Sequence, residues 1–151
     1  MADAPYIAVV GPGAATADEE WLAEEVGAGL AEGGCVVVTG GLGGVMAAAC
    51  RGAKSRRGRT LALLPGADRT AANGWVDLAV ATGMGEMRNA LIVRAADAVV
   101  AIGRSHGTLS EVALALRDGK LVVGLGAWDI DGMVQAADPR DAVSRALRHT
   151  S

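Results

Sequence analysis

The sequence predicts an α/β fold, a doubly wound sheet of mainly parallel strands flanked by helices, on three observations. Short β-branched runs alternate with Ala-rich stretches of helical period, the pattern of parallel strands joined by crossover helices. The strand runs are continuously apolar rather than alternating, which implies a sheet covered on both faces. Glycine-rich turns follow several of these runs and lead into helices, as tight βα connections do.

Strands are predicted at residues 6–10, 35–39, 60–64, 98–102 and 121–125, with a weaker pattern at 76–81. The stretch 17–32 carries Trp21, Leu22, Val26 and Leu30 at helical spacing, 45–54 follows a glycine-rich turn, and 87–96 repeats Leu91, Ile92 and Ala95, so each predicts an amphipathic crossover helix. A helix over 108–118 closes at Gly119, and a last one starts at Asp138-Pro139, an N-cap followed by a residue preset for the first turn. No repeat or low-complexity linker interrupts the pattern, and the longest irregular stretch, 65–74, is too short to separate domains. One domain over residues 1–151 is expected.

Composition narrows the function. The 151 residues carry 14 Lys+Arg against 17 Asp+Glu, a formal charge of −3, and 51% are hydrophobic. A chain of this size buries about 68–70% of its unfolded surface and needs no disulfide or metal to stand. No apolar run approaches the ~18 residues of a membrane span, and Met1-Ala2-Asp3-Ala4-Pro5 lacks the basic segment of a signal peptide. Cys35 and Cys50 stand in apolar surroundings with no CxxC and no histidine at ligand spacing. They are expected to be buried thiols of a cytoplasmic protein, with no metal site. An acidic chain with 3% aromatics and no Phe argues against nucleic-acid binding.

In an open parallel sheet, ligands bind beyond the carboxyl ends of the strands. Here Gly11-Pro12-Gly13, Gly40-Gly41-Leu42-Gly43-Gly44-Val45-Met46 and Gly103-Arg104-Ser105-His106-Gly107-Thr108 occupy those positions, each ahead of a helix. Unpaired N–H groups and the positive dipole end make a helix start an anion site, and glycine lets a ligand approach the backbone. Such glycines also serve the turn alone, but three loops on one edge favour an anion site. The dinucleotide fingerprint is not completed and no phosphate-loop lysine motif is present. A monophosphate fits better than a dinucleotide or a triphosphate.

Two polar residues fall on apolar faces. Arg88 shares a helix face with Leu91, Ile92 and Ala95, so its fork of donors meets either a ligand phosphate or carboxylate, or an ion pair with Asp68, Asp77 or Glu86. Glu111 completes Thr108-Leu109-Ser110-Glu111, a capping box that explains it structurally. It also shares a face with Leu114 and Ala115 and so looks onto the same crevice, where a carboxylate stabilises developing positive charge or orients water. His106 is read as a loop residue near the ligand. Arg51, Lys54, Arg56, Arg57 and Arg59 form a basic cluster that reads as a solvated helix end. Trp75 and Trp128 fall near strand-end loops, as interface or lid.

The glycine run at 40–46, Met87-Arg88-Asn89, and Gly107-Thr108-Leu109-Ser110-Glu111 together resemble the Lonely guy (LOG) family, once labelled putative lysine decarboxylases, and its DprA/Smf-related relatives. Within it, the branch that includes molybdenum cofactor carrier proteins is most similar. The resemblance spans nearly the whole chain. It implies a Rossmann-like homo-oligomer that hydrolyses the N-glycosidic bond of a nucleoside 5′-monophosphate, giving free base and ribose 5-phosphate without cofactor or metal. It assigns catalysis to Arg88 and Glu111, and with the loops read above ligand binding is expected at Gly13, Gly41, Gly43, Gly44, Asn89, Ser105, His106, Gly107 and Thr108. Where the family has a P-G-G-x-G-T loop this chain has Gly103-Arg104-Ser105-His106-Gly107-Thr108, and Asn89 replaces the family's second basic residue. Both departures favour the carrier-like branch. The resemblance as a whole still makes a phosphoribohydrolase the leading expectation. The alternative is a non-catalytic carrier of a nucleotide or of molybdenum cofactor.

Overall fold

The computed structural model describes residues 3–151, so the signal-peptide reading at Met1 and Ala2 lies partly outside the described residues. The chain runs β1 (Tyr6–Val10), α1 (Ala17–Glu32), β2 (Val36–Thr39), α2 (Val45–Ser55), β3 (Arg59–Leu64), β4 (Leu78–Ala81), α3 (Arg88–Ala95), β5 (Ala98–Ile102), α4 (His106–Arg117), β6 (Leu121–Leu125), β7 (Val134–Gln135) and α5 (Pro139–Thr150). Among the described residues these strands form one sheet of order β4-β3-β2-β1-β5-β6-β7, parallel at every pairing. The α/β doubly wound fold is as the sequence predicts.

Alternate residues of each strand feed two apolar layers. Ile7 and Val9 face one layer with Val26 and Leu30 of α1, Val45 and Ala49 of α2, and Ala142 and Ala146 of α5. Ala8 and Val10 face the other with Ile92 and Val93 of α3 and Val112 and Ala115 of α4. Strands buried on both sides cannot alternate apolar with polar residues, which is why they read as continuous runs. Helices α1 and α2 approach closely because Gly27 and Gly52 lack side chains, and a Cβ on either would press into a backbone carbonyl, that of Ala49 or of Glu24.

Several boundaries move for local reasons. β2 starts at Val36 because the Cys35 N–H turns back to the Leu30 carbonyl at the end of α1. β4 starts at Leu78 because the Asp77 carboxylate is engaged by the Thr60 N–H at 2.9 Å. α3 begins at Arg88, after a 3₁₀ turn over Gly85–Met87. α4 begins two residues before the predicted start, which moves His106 from a loop to the first helical position. The predicted capping box at Thr108 and Glu111 is not made. A capping box does form at the start of α1, where Thr16 Oγ1 accepts from the Glu19 N–H at 3.1 Å and Glu19 Oε1 from the Thr16 N–H at 2.9 Å. Three of the five residues of the basic cluster are paired, Arg51 with Glu24, Lys54 with Asp77 and Arg56 with Glu32, while Arg57 and Arg59 are exposed. Cys35 and Cys50 are buried free thiols, and burial raises both above the ordinary thiol range.

Connection order places the functional crevice. From β1 the chain winds outward through β2, β3 and β4, then returns to lay β5 against the other side of β1. At such a reversal the loops leaving adjacent strands diverge, and a crevice opens at their carboxyl ends.

Candidate functional site

A cavity of about 330 Å³ fills that crevice, within the size range of small-molecule sites. Of the predicted site residues it is lined by Gly13, Arg88, Asn89, Ser105, Gly107, Thr108 and Glu111, drawn from positions up to 98 apart in the chain. A larger cavity of about 580 Å³ lies between α1 and α5 and contains none of them.

Arg88 sits at the first position of α3 and is only 8% exposed. Its Nε donates to the Leu63 carbonyl at 2.9 Å and its Nη1 to Asn89 Oδ1. The ion pairs the sequence suggested do not form. Asp68 accepts instead from Thr70, and Asp77 takes Lys54 at 2.8 Å. Burial lowers the guanidinium from its ordinary value, while Glu111 and Glu86 raise it. Among the described residues Nη2 has no acceptor, yet no buried side-chain nitrogen or oxygen lacks a partner, so this donor is reachable from the cavity. The space it occupies exists because residue 40 is glycine: a Cβ there would lie 2.5 Å from Nη2.

Glu111 lies in the second turn of α4, 7% exposed. Among the described residues it makes no hydrogen bond and no ion pair. Burial pushes its carboxyl up to about 7, against the pull of Arg88. With the capping role gone, nothing in the fold accounts for a carboxylate at this position.

The cap of α4 is Ser105, whose Oγ accepts from the Thr108 N–H at 3.2 Å and shares a 2.7 Å hydrogen bond with Thr108 Oγ1. Thr108 is therefore committed to holding the turn. The N–H groups of His106 and Gly107 have no acceptor among the described residues, and they stand at the positive end of the helix. Arg104 does not obstruct them, because its side chain folds outward to the Ala127 carbonyl at 3.2 Å. Trp128 braces the same loop by donating to the Ser105 carbonyl at 3.0 Å. Trp75 lies elsewhere, beneath Arg51 with 5.3 Å between guanidinium and ring centre.

Four predicted ligand contacts fall outside this cavity. Gly41 has φ +80° and donates to Thr39 Oγ1 at 3.1 Å, Gly44 has φ +63° and abuts the Pro12 and Gly13 carbonyls, and Gly43 does not line this cavity. Gly41 and Gly44 serve the turn. His106 lines an adjoining cavity of about 440 Å³ that shares Glu86, Asn89 and Gly107 with the first. Gly11, Gly40, Leu42, Met46, Pro65 and Glu86 line the first cavity without having been singled out as ligand contacts. Gly11, Gly40 and Met46 belong to glycine runs visible in the sequence, whereas Leu42 and Pro65 carry no signal of their own.

The family model described as the SLOG cluster4 family matches residues 4–149. This chain belongs to the SLOG cluster4 family. The branch of LOG- and DprA-related proteins that the motifs resemble is thereby the right one. Within the solved structures, this SLOG chain is similar to the molybdenum cofactor binding protein of Rippkaea orientalis, at 34% identity and TM-score 0.94 over 99% of both chains. It is similar to the molybdenum cofactor carrier protein of Chlamydomonas reinhardtii, at 33% identity and TM-score 0.91, over 98% of this chain and 99% of that one. A protein of Archaeoglobus fulgidus described only as uncharacterized is 41% identical over 142 residues, 93% of each chain.

Proposed function

We propose that this SLOG protein is a binding protein that holds a phosphorylated ligand of the molybdenum cofactor class, a pterin carrying a phosphate, in the cavity at the sheet's carboxyl edge. The similarity to a molybdenum cofactor binding protein over 99% of both chains carries this reading, because it takes in every segment that lines the cavity. The chemistry of the site agrees. Arg88 Nη2 and the N–H groups of His106 and Gly107 offer donors to a phosphate, and Gly13, with nothing but the end of the Met46 side chain near it, leaves backbone open to a close-lying ligand. The test is anaerobic gel filtration with cofactor released from a molybdoenzyme. Stoichiometric retention is expected, reduced at least about tenfold by Arg88→Ala, and wild-type protein that retains none refutes the reading.

One observation favours the hydrolytic alternative. Glu111 is a buried, unpaired carboxyl whose proton affinity suits acid–base work near neutrality. If it stabilises an oxocarbenium-like transition state, wild-type protein releases free base from nucleoside 5′-monophosphates while Glu111→Gln binds them and releases none. Absence of release from a full nucleotide panel leaves the binding function alone.

A further inference from the structure

Gly107 is a glycine without a structural reason. Its φ is not positive, a Cβ there would meet nothing nearer than Ser105 Oγ at 4.0 Å, and it occupies the second position of α4, where glycine is a poorer helix former than alanine. It lines both the strand-end cavity and the adjoining 440 Å³ cavity. Asn89 forms the other shared wall. Its Nδ2 donates to Ser110 Oγ at 3.3 Å, and Ser110 in turn donates to the Gly107 carbonyl at 2.7 Å, so hydrogen bonds fix the position of both residues that the two cavities share. Met87, Ala90 and Leu114 give the second cavity an apolar wall, and Glu86 stands where the two meet.

We propose that one ligand spans both cavities, its phosphate in the first and a flat heterocycle in the second, and that Glu86 selects a 2-amino-4-oxopyrimidine edge, the edge shared by pterins and guanine. That edge presents a ring N–H and an amino group side by side, two donors matched to the two oxygens of one carboxylate. Adenine presents an amino donor beside a ring acceptor, so one carboxylate oxygen faces a lone pair. A site built to accept hydrogen bonds rejects analogues that lack the donors more strongly than an apolar pocket rejects a missing methylene. The thioether of Met87, 72% exposed, lies along this cavity as an adaptable apolar surface for a ring. The assignment rests on the binding function proposed above.

Calorimetric titration with ribose 5-phosphate, AMP, GMP and 6-hydroxymethylpterin monophosphate tests it. Wild-type protein is expected to bind GMP and the pterin at least about tenfold tighter than AMP, and the tighter of the two identifies the source of the shared edge. Glu86→Gln is expected to remove that preference, read as the ratio of GMP to AMP affinity, and Ala90→Leu to fill the ring cavity while leaving ribose 5-phosphate affinity within about twofold. Equal affinity for GMP and AMP, or GMP affinity unchanged in both variants, overturns the ring assignment while ribose 5-phosphate binding preserves the phosphate site. Failure of every phosphorylated probe to bind overturns both.

Discussion

Replacing Glu111 by Gln keeps the side-chain shape and removes its titration, which makes it the sharpest probe of the crevice. The folded-state value, about 7, lies above the ordinary 4.5. Between those pH values the folded chain therefore holds a proton that the unfolded chain has released, and stability falls as pH rises. The full stability is present below pH 4.5 and the loss is complete above about pH 7. At 1.36 kcal/mol per pH unit this span corresponds to about 3 kcal/mol, and with 7% exposure little of it is screened by solvent. For a domain of roughly 150 residues each kcal/mol moves Tm by about 2–4 °C. Ligand-free Glu111→Gln is thus expected to melt about 6–12 °C above wild type at pH 8.5 and within about 2 °C of it at pH 4.5. A gap of the same size at both pH values refutes the reasoning, since it would mean that Glu111 is ionised normally in the folded state. A phosphate dianion in the cavity disfavours the Glu111 charge further, so binding near pH 8 is expected to take up protons, read as a dependence of the calorimetric enthalpy on buffer ionisation.

Other substitutions separate turn-forming residues from those that shape the cavity. Gly40→Ala places a Cβ 2.5 Å from Arg88 Nη2 and 2.8 Å from Met46 Sδ, so affinity for ribose 5-phosphate should fall at least about tenfold, roughly 1.4 kcal/mol, in titration calorimetry. Gly44→Ala acts on stability instead. A residue at φ +63° beside two carbonyls costs of order 1–3 kcal/mol of backbone strain, and urea unfolding should show at least the upper part of that range. Ser105→Ala leaves the Thr108 N–H without its acceptor and should cost about 1 kcal/mol in the same assay, as N-cap losses do.

The sequence by itself determined the layer architecture. Continuous apolar strands between helical repeats admit few other folds, and β1, β5, β6 and α1 fall at the residues predicted. It also pointed to the sheet edge that carries the site, because glycine runs after strands mark where backbone must turn sharply or lie open. β7 was missed because two residues show no periodicity.

Tertiary structure decided what each polar residue does. Thr108 and Ser105 both sit at cap-like positions in the sequence, and the choice between them follows from a loop held by Trp128 and Arg104 through contacts made 23 residues away. Whether Arg88 met a carboxylate or a ligand turned on the Leu63 carbonyl, 25 residues back, which takes Nε and leaves Nη2 to the cavity. Glu111 lost its capping explanation only once the start of α4 was fixed. Glycines were divided the same way, Gly41 and Gly44 to turns and Gly107 to open space. Local pattern reports which groups a segment offers, but burial and hydrogen bonding couple residues far apart in the chain. The partner that satisfies a buried charge, or leaves it free for a ligand, is therefore set by the assembled fold.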